Sequence, residues 1–316
     1  MCLEKWDGVQ KNIYVRRNTR MIETKQVQPL PAGELRRLQL TELELLIEFD
    51  RICRKNNIRY TMIGGTLLGA VRHKGFIPWD DDADVALLRS DYDTFVWACE
   101  QELDSKRFYF QDRFQTEGYR WGYGKLRRRN TSFIRPNTED LPYEQGVYID
   151  IMPVDYIPNS KTGQLICNLV AFFFRKASWA EIGKRTEPNY VYKALYCLLA
   201  LIPFHTLNRA YKALIKWLNR RPTEYLRCLA VPVVTSKGHK GYWRYKSEWL
   251  DRLKEYEFEG YSLMGFADCQ LPLRRMYGEY MEPVRFPPVS LSAYALPPLR
   301  EIQVDDTLKE GMQNDR

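Results

Sequence analysis

The sequence predicts a mixed α/β (α+β) fold built on a mixed sheet and interrupted by an all-helical insertion. Three observations carry that expectation. Apolar residues recur at helical spacing from Gly33 to Asn57. Short runs of strand alternation follow, separated by further helical stripes. Between about Gly163 and Val234 the pattern turns wholly helical, rich in Leu, Phe, Tyr and Trp and broken by Pro188, Pro203 and Pro222.

Taken in order, residues 1–32 are polar and aperiodic, with Pro29 and Pro31 near their end, and read as an N-terminal arm. In the first helix Leu35, Leu38, Leu45, Phe49 and Ile52 mark one amphipathic face. Arg59 to Ile63 reads as a strand ending in Gly64 and Gly65, after which Thr66 opens a helix, LLGAVRH, that stops at Gly75. Asp82 to Leu88 alternates acid with small or apolar residues, as a strand does. Ser90 then begins SDYD, a capping box with Asp93, and Tyr92, Phe95, Val96, Cys99 and Leu103 line one stripe of the helix behind it. Phe108 to Gln111 and Tyr119 to Lys125 read as further strands, with loops at Asn130 and Thr131 and at Arg135, Pro136 and Asn137. In GVYIDIMPVDYIP, Val147, Ile149 and Ile151 flank Asp150 in strand alternation. The expected organisation is a core over 33–160, a helical insertion or cap over 161–236, a part over 237–299 that completes the core, and a polar tail over 300–316.

At 45% hydrophobic and 28% charged residues, the chain has enough apolar material for a buried core and is too mixed to be disordered throughout. The balance of 48 Lys and Arg against 40 Asp and Glu leaves +8, a weak sign of anionic partners that does not choose among phosphates, nucleic acid and membrane. Seven widely spaced cysteines with no CxxC pair argue against a disulfide framework or a cysteine zinc knuckle, and a reducing cytoplasm is the expected setting. The N-terminus lacks the apolar core of a signal peptide, and no stretch reaches the roughly 18 apolar residues of a membrane-spanning helix.

The chemistry gathers at Gly64, Gly65 and Thr66, then Asp82 and Asp84, then Asp150. Residues two apart on a strand face the same way, so Asp82 and Asp84 put both carboxylates into one cleft, and Asp150 on a neighbouring strand supplies a third. Three carboxylates repel one another unless divalent cations separate them. Mg²⁺ takes one or two carboxylates with phosphate oxygens and water, and paired ions clamp the attacking and leaving oxygens of a phosphoryl transfer. The two glycines let backbone approach a phosphate, and Thr66 adds a hydroxyl and exposed amides at the positive end of a helix dipole. Alone, a double glycine is an ordinary turn and an Asp-rich stretch an ordinary solvated loop. Together, in strand context, they point to phosphoryl chemistry.

The run YTMIGGTLLGAVRHKGFIPWDDDADVALLRSDYDTF resembles the signature of the LicD family, phosphocholine transferases of bacterial surface glycans related to fukutin and fukutin-related protein, which transfer ribitol phosphate. The likeness continues in GYGKLRRRNTSF and YIDIMPVD, and more weakly in FEGYSLMG and YGEYM. It departs at Ala83, where Ile or Val is usual, and at Glu279, where the family mostly has Asp. The resemblance implies a nucleotidyltransferase-like core, a CDP-linked donor such as CDP-choline, dependence on Mg²⁺ or Mn²⁺, and a glycan acceptor in lipopolysaccharide, teichoic acid or capsule. It implies that Asp82 and Asp84 are metal ligands, Asp150 the third acid, and Gly64, Gly65 and Thr66 the nucleotide-side loop. CDP-ribitol and CDP-glycerol are the alternative donors. A nucleic-acid nucleotidyltransferase is more remote, because the positive charge is modest and no RNA-binding module is visible.

Further residues carry two readings each. Arg72 either offsets diphosphate charge or is a cation suited to a helix end. His73 is an acid or base, or structural. Asp80 tunes the site or binds a second ion, whereas Asp81 is expected to point away from Asp82. Alternation sends Lys125, Arg127 and Arg129 to one face, a basic strand for a phosphate or a solvated edge strand. Trp79, Trp121, Tyr123 and Tyr148 offer aromatic faces for a quaternary ammonium, or core packing. The helices of the insertion are read as a packed cap, with peripheral contact to the inner face of a membrane as the second reading.

Overall fold

The computed structural model describes residues 32–134, 138, 140–232 and 244–282. Helix α1 (Ala32–Lys55) has Glu34 in its first turn and Arg54 and Lys55 in its last, each complementing the helix dipole. Its stripe Leu38, Leu45, Phe49 and Ile52 is fully buried. There follow β1 (Thr61–Met62), α2 (Gly64–His73), β2 (Asp84–Leu88), α3 (Arg89–Glu102), β3 (Phe108–Gln111), β4 (Gly124–Arg128) and β5 (Tyr148–Ile157). These strands lie in the order β1-β2-β5-β4-β3, with β2 and β5 parallel and the other pairs antiparallel, so the sheet is mixed. α1 packs against α3, β4 and β5.

Helices α4 (Lys161–Ser178), α5 (Ala180–Thr186), α6 (Tyr190–Leu199) and α7 (Phe204–Leu218) come next, then β6 (Tyr225–Arg227), β7 (Tyr245–Lys246) and α8 (Ser247–Asp251). The last residues of β5 leave β2 and β4 behind and pair with β6, which pairs in turn with β7. A hairpin of β8 (Leu253–Phe258) and β9 (Tyr261–Phe266) turns at Glu259 and Gly260, both at positive φ, and helix α9 (Gln270–Tyr277) follows it. The helices α4 and α7 enclose a small second core of Ile157, Cys167, Ala171, Phe174, Leu207, Tyr211 and Ile215.

One buried ion pair ties these parts together. Arg89 donates Nε and Nη2 to the two carboxylate oxygens of Asp155 at 2.7 and 2.9 Å, and Asn219 at the end of α7 donates to the same carboxylate at 2.7 Å. Asp155 therefore joins β5, α3 and the helical region at one point.

Several sequence expectations are corrected. The first strand shrinks to Thr61–Met62, and Asp82 precedes β2, which begins at Asp84. The capping box does not form: α3 starts at Arg89 directly from β2, so Ser90 is already helical and its carbonyl accepts from Thr94. The strand expected at Tyr119–Lys125 lies at Gly124–Arg128, because the Tyr119 hydroxyl bonds the Tyr123 carbonyl at 3.0 Å and closes that segment into a loop. Continuous helix ends at Leu218, so within 161–236 the residues Tyr225–Arg227 belong to the sheet. The N-terminal arm to residue 31, the polar tail and the Arg135, Pro136, Asn137 loop lie outside the described residues.

Candidate active site

The glycines open α2 rather than forming a turn before it. Ile63 is the extended residue at its start, no side chain caps it, and Gly64 is its first residue, at φ +58°. A Cβ at Gly64 would lie 3.4 Å from an Asp84 carboxylate oxygen, and one at Gly65 only 2.3 Å from an Asp80 oxygen. Glycine is thus needed at 65 because the Asp80 carboxylate sits where a side chain would be, and at 64 because the backbone takes a positive φ, both at the positive end of the helix dipole. Thr66 is buried, and its hydroxyl accepts the Asp84 N–H at 2.8 Å, pinning the start of β2 to α2. That contact engages the hydroxyl expected to face a phosphate.

The acids converge from two directions. Asp84 and Asp150 are direct partners on the parallel strands β2 and β5, so their side chains leave the sheet on the same side. Asp80, Asp81 and Asp82 each place a carboxylate oxygen within 4.8 Å of the other two. Asp81 was expected to point away, but these residues precede the strand and two-residue alternation does not govern them. Gln39 holds the loop by donating to the carbonyls of Ile77 and Asp80 at 3.2 and 3.0 Å. Burial and the neighbouring Asp82 and Asp81 push the Asp80 carboxyl up to about 8. Burial, with Asp82 and Asp150 beside it, pushes Asp84 well above the usual carboxylate range, and Lys125 opposes that rise.

Lys125 and Arg127 are not on an edge. β4 lies between β3 and β5, and both side chains are buried on the face that carries Asp150 and Tyr148. The Lys125 ammonium is ion-paired with Asp150. It lies 3.3 Å from the ring centre of Tyr148, 5.3 Å from that of Tyr123 and 5.4 Å from that of Trp121. Three of the four aromatics considered for a quaternary ammonium therefore surround a cation of the chain itself. Arg127 donates to the Gly146 carbonyl at 2.6 Å and to Gln111, with its guanidinium 4.8 Å from the Tyr148 ring centre. Arg129 lies beyond the strand end and pairs with Glu144.

Arg72 stands eight residues along α2 from Gly64, about 12 Å up the helix, and donates to the Tyr280 carbonyl at 2.9 Å. His73 meets Trp79 edge to face at 6.5 Å, and burial together with Arg72 lowers its pKa. The sequence reading missed Tyr277. Its hydroxyl would lie 3.9 Å from a Cβ at Gly64, and burial with Asp80, Asp84 and Asp82 nearby raises its pKa. The signal was present in the YGEYM run, whose leading residue it is.

The donor set suits a hard divalent cation. Every ligand offered is a carboxylate oxygen, and Asp80 and Asp84 are raised by burial first and then by repulsion from the neighbouring acids, both of which a bound cation would offset. The tightest group is Asp80, Asp81 and Asp82, with Asp84 and Asp150 adjoining it.

Residues 57–179 match the family described as LicD/FKTN/FKRP, nucleotidyltransferase domain. A protein of Haemophilus influenzae described as lipopolysaccharide cholinephosphotransferase LicD is 29% identical over 255 residues, covering 78% of this chain and 91% of that protein. Uncharacterized proteins of Rickettsia prowazekii and Rickettsia typhi are each 46% identical over 52 residues, 16% of this chain and 20% and 17% of theirs. The matched region contains α2, the whole acidic group, Lys125 and Asp150. With its acids gathered at the glycine-opened helix, the chain carries over residues 57–179 a domain that matches the LicD family, and it is a transferase.

Proposed function

We propose that this transferase moves phosphocholine from CDP-choline to a hydroxyl of a surface glycan or its lipid-linked precursor, releasing CMP, with Mg²⁺ or Mn²⁺ bound. The observation that carries the reading is the convergence of Asp80, Asp81, Asp82, Asp84 and Asp150 at the uncapped start of α2. The likeness to a lipopolysaccharide cholinephosphotransferase supports phosphocholine as cargo and lipopolysaccharide as the first acceptor to try. Teichoic acid and capsule offer the same hydroxyl chemistry.

When bound, the cation supplies a seat for the diphosphate oxygens and offsets the charge gathering on CMP as it leaves. Asp80, Asp81 and Asp82 would hold it, and Asp84 follows at the start of β2, its backbone N–H bonded to the Thr66 hydroxyl. Asp150 takes the acceptor proton on its carboxylate as the acceptor oxygen bonds the choline-bearing phosphorus. The bond from that phosphorus to the bridging oxygen breaks, and CMP departs with that oxygen and its electron pair. Lys125 keeps the Asp150 carboxylate in place. Trp79, adjacent to Asp80 and outside the group around Lys125, offers a ring face to the quaternary ammonium. The six cysteines among the described residues are free thiols, which supports a reducing, cytoplasmic setting.

The test is a donor panel with the purified chain, Mg²⁺ and lipopolysaccharide. CMP release from CDP-choline with matching phosphocholine on the glycan supports the reading. Product from CDP-ribitol or CDP-glycerol with none from CDP-choline overturns the assignment of cargo.

A further inference from the structure

The helical region carries a surface that the transfer reaction does not use. α4 has two apolar faces. Cys167, Ala171 and Phe174 turn inward, while Leu165, Ile166, Leu169, Phe172 and Phe173, spaced by one, three and four, stay exposed on the opposite side. α6 goes further: its sequence YVYKALYCLL has a single charge, yet among its residues Tyr196 alone is buried. Tyr190 is 85% exposed, Leu198 66%, and Leu201 just past the helix 77%. The two helices adjoin, because Lys176 of α4 donates to the Tyr196 hydroxyl at 2.7 Å. Single exposed apolar residues are ordinary on a protein surface, but adjoining apolar helix faces are a docking feature.

Charge names the occupant. Residues 161–221 hold eleven Lys and Arg against two acids, a net +9, whereas the whole chain carries +8. The positive excess of the chain therefore resides in this segment and the remainder is close to neutral. On α7, Arg209, Lys212 and Lys216 are spaced by three and four and all are exposed. A symmetric dimer through this region would bring a +9 segment against its own copy. An anionic lipid surface instead complements both features, accepting apolar side chains below its headgroups and cations at its phosphates.

We propose that α4, α6 and α7 dock this chain on the surface of an anionic phospholipid bilayer. The helices lie on the bilayer and do not cross it. Among the described residues no single helix is long and apolar enough to span, and although α6 and α7 together pass on length and composition, they meet at an 87° bend. α7 also buries Leu207, Tyr211, Ile215 and Leu218 inside the protein, which holds it to the fold. Exposed Tyr190 and Trp217 suit the headgroup layer, where amphipathic rings collect. The docking is independent of which group the enzyme transfers.

The experiment is sedimentation of the full chain with vesicles of phosphatidylcholine alone and of phosphatidylcholine with equal phosphatidylglycerol. Binding to the anionic vesicles should be at least roughly tenfold tighter and should weaken with added salt. Arg209→Gln with Lys212→Gln and Lys216→Gln should lower that affinity by about a hundredfold, taking each charge as about fivefold. Leu169→Glu with Leu198→Glu should abolish vesicle binding and leave the thermal midpoint unchanged or higher, since both positions are exposed. Absence of binding, or equal binding to neutral vesicles, overturns the proposal. So does a dimer that the leucine variant dissociates, for it would assign the face to a second copy.

Discussion

In the metal-free protein, raising the pH from 6 to 8 should cost stability through Asp80, and Asp80→Asn should remove that cost. The Asp80 carboxyl is pushed up to about 8 by burial, Asp82 and Asp81, while in the unfolded chain it titrates near 3.9. Between those values the folded state keeps a proton that the unfolded state has lost, so stability falls as pH rises through the window. From pH 6 to 8 a single such group removes about 2 kcal/mol. For a folded region of this size that is a fall of about 4–8 °C in the thermal midpoint. Asp84, also raised, adds in the same direction. His73, with its pKa lowered, acts in the opposite direction near pH 6, and the same contribution persists in the variant. The assay is thermal unfolding in EDTA at both pH values for the parent protein and Asp80→Asn. The parent should lose several degrees more than the variant, and Mn²⁺ at pH 8 should restore the parent but not the variant. Equal pH dependence in the two proteins would refute the claim that burial and the neighbouring acids hold the Asp80 carboxyl protonated at the site.

Other consequences are sharp. Gly65→Ala sets a Cβ at 2.3 Å from the Asp80 carboxylate and must displace it; turnover should drop by more than about tenfold while the helix itself, offered a better helix former, keeps its circular dichroism. Asp155→Ala strands Arg89 in the interior, and chemical denaturation should show a loss of about 3–5 kcal/mol. Trp79→Ala should raise KM for CDP-choline by roughly 3- to 30-fold and leave KM for CDP-ribitol, which lacks the ammonium, unchanged. Equal effects on both donors would remove Trp79 from choline recognition.

Much of the core was legible because its signals are periodic. The stripe of α1 and the alternation around Asp150 each need only local spacing, and both elements formed where the pattern put them. The pairing of Asp84 with Asp150 follows from two such strands lying side by side. What escaped depends on contacts distant in sequence. Lys125 reads as a free cation on a basic strand, but β4 is interior, and Asp150 with three aromatic rings encloses the ammonium. Thr66 reads as a ligand hydroxyl until the Asp84 N–H is found on it. Tyr277 reaches the acids only because α9 returns to α2 after the hairpin, a contact that the YGEYM run marks as a segment but that local periodicity does not place. The capping box failed because β2 runs into α3 without the intervening turn that would have placed Ser90 ahead of the helix.

The most direct measurement follows purified chain, CDP-choline, lipopolysaccharide acceptor and Mg²⁺ by phosphorus NMR. The diphosphate signals should give way to CMP and a glycan phosphodiester in equal amounts, with no reaction in EDTA and none from Asp82→Ala of thermal midpoint unchanged or higher. Persistence of intact CDP-choline with the parent protein, or parental turnover from Asp82→Ala, would contradict the account.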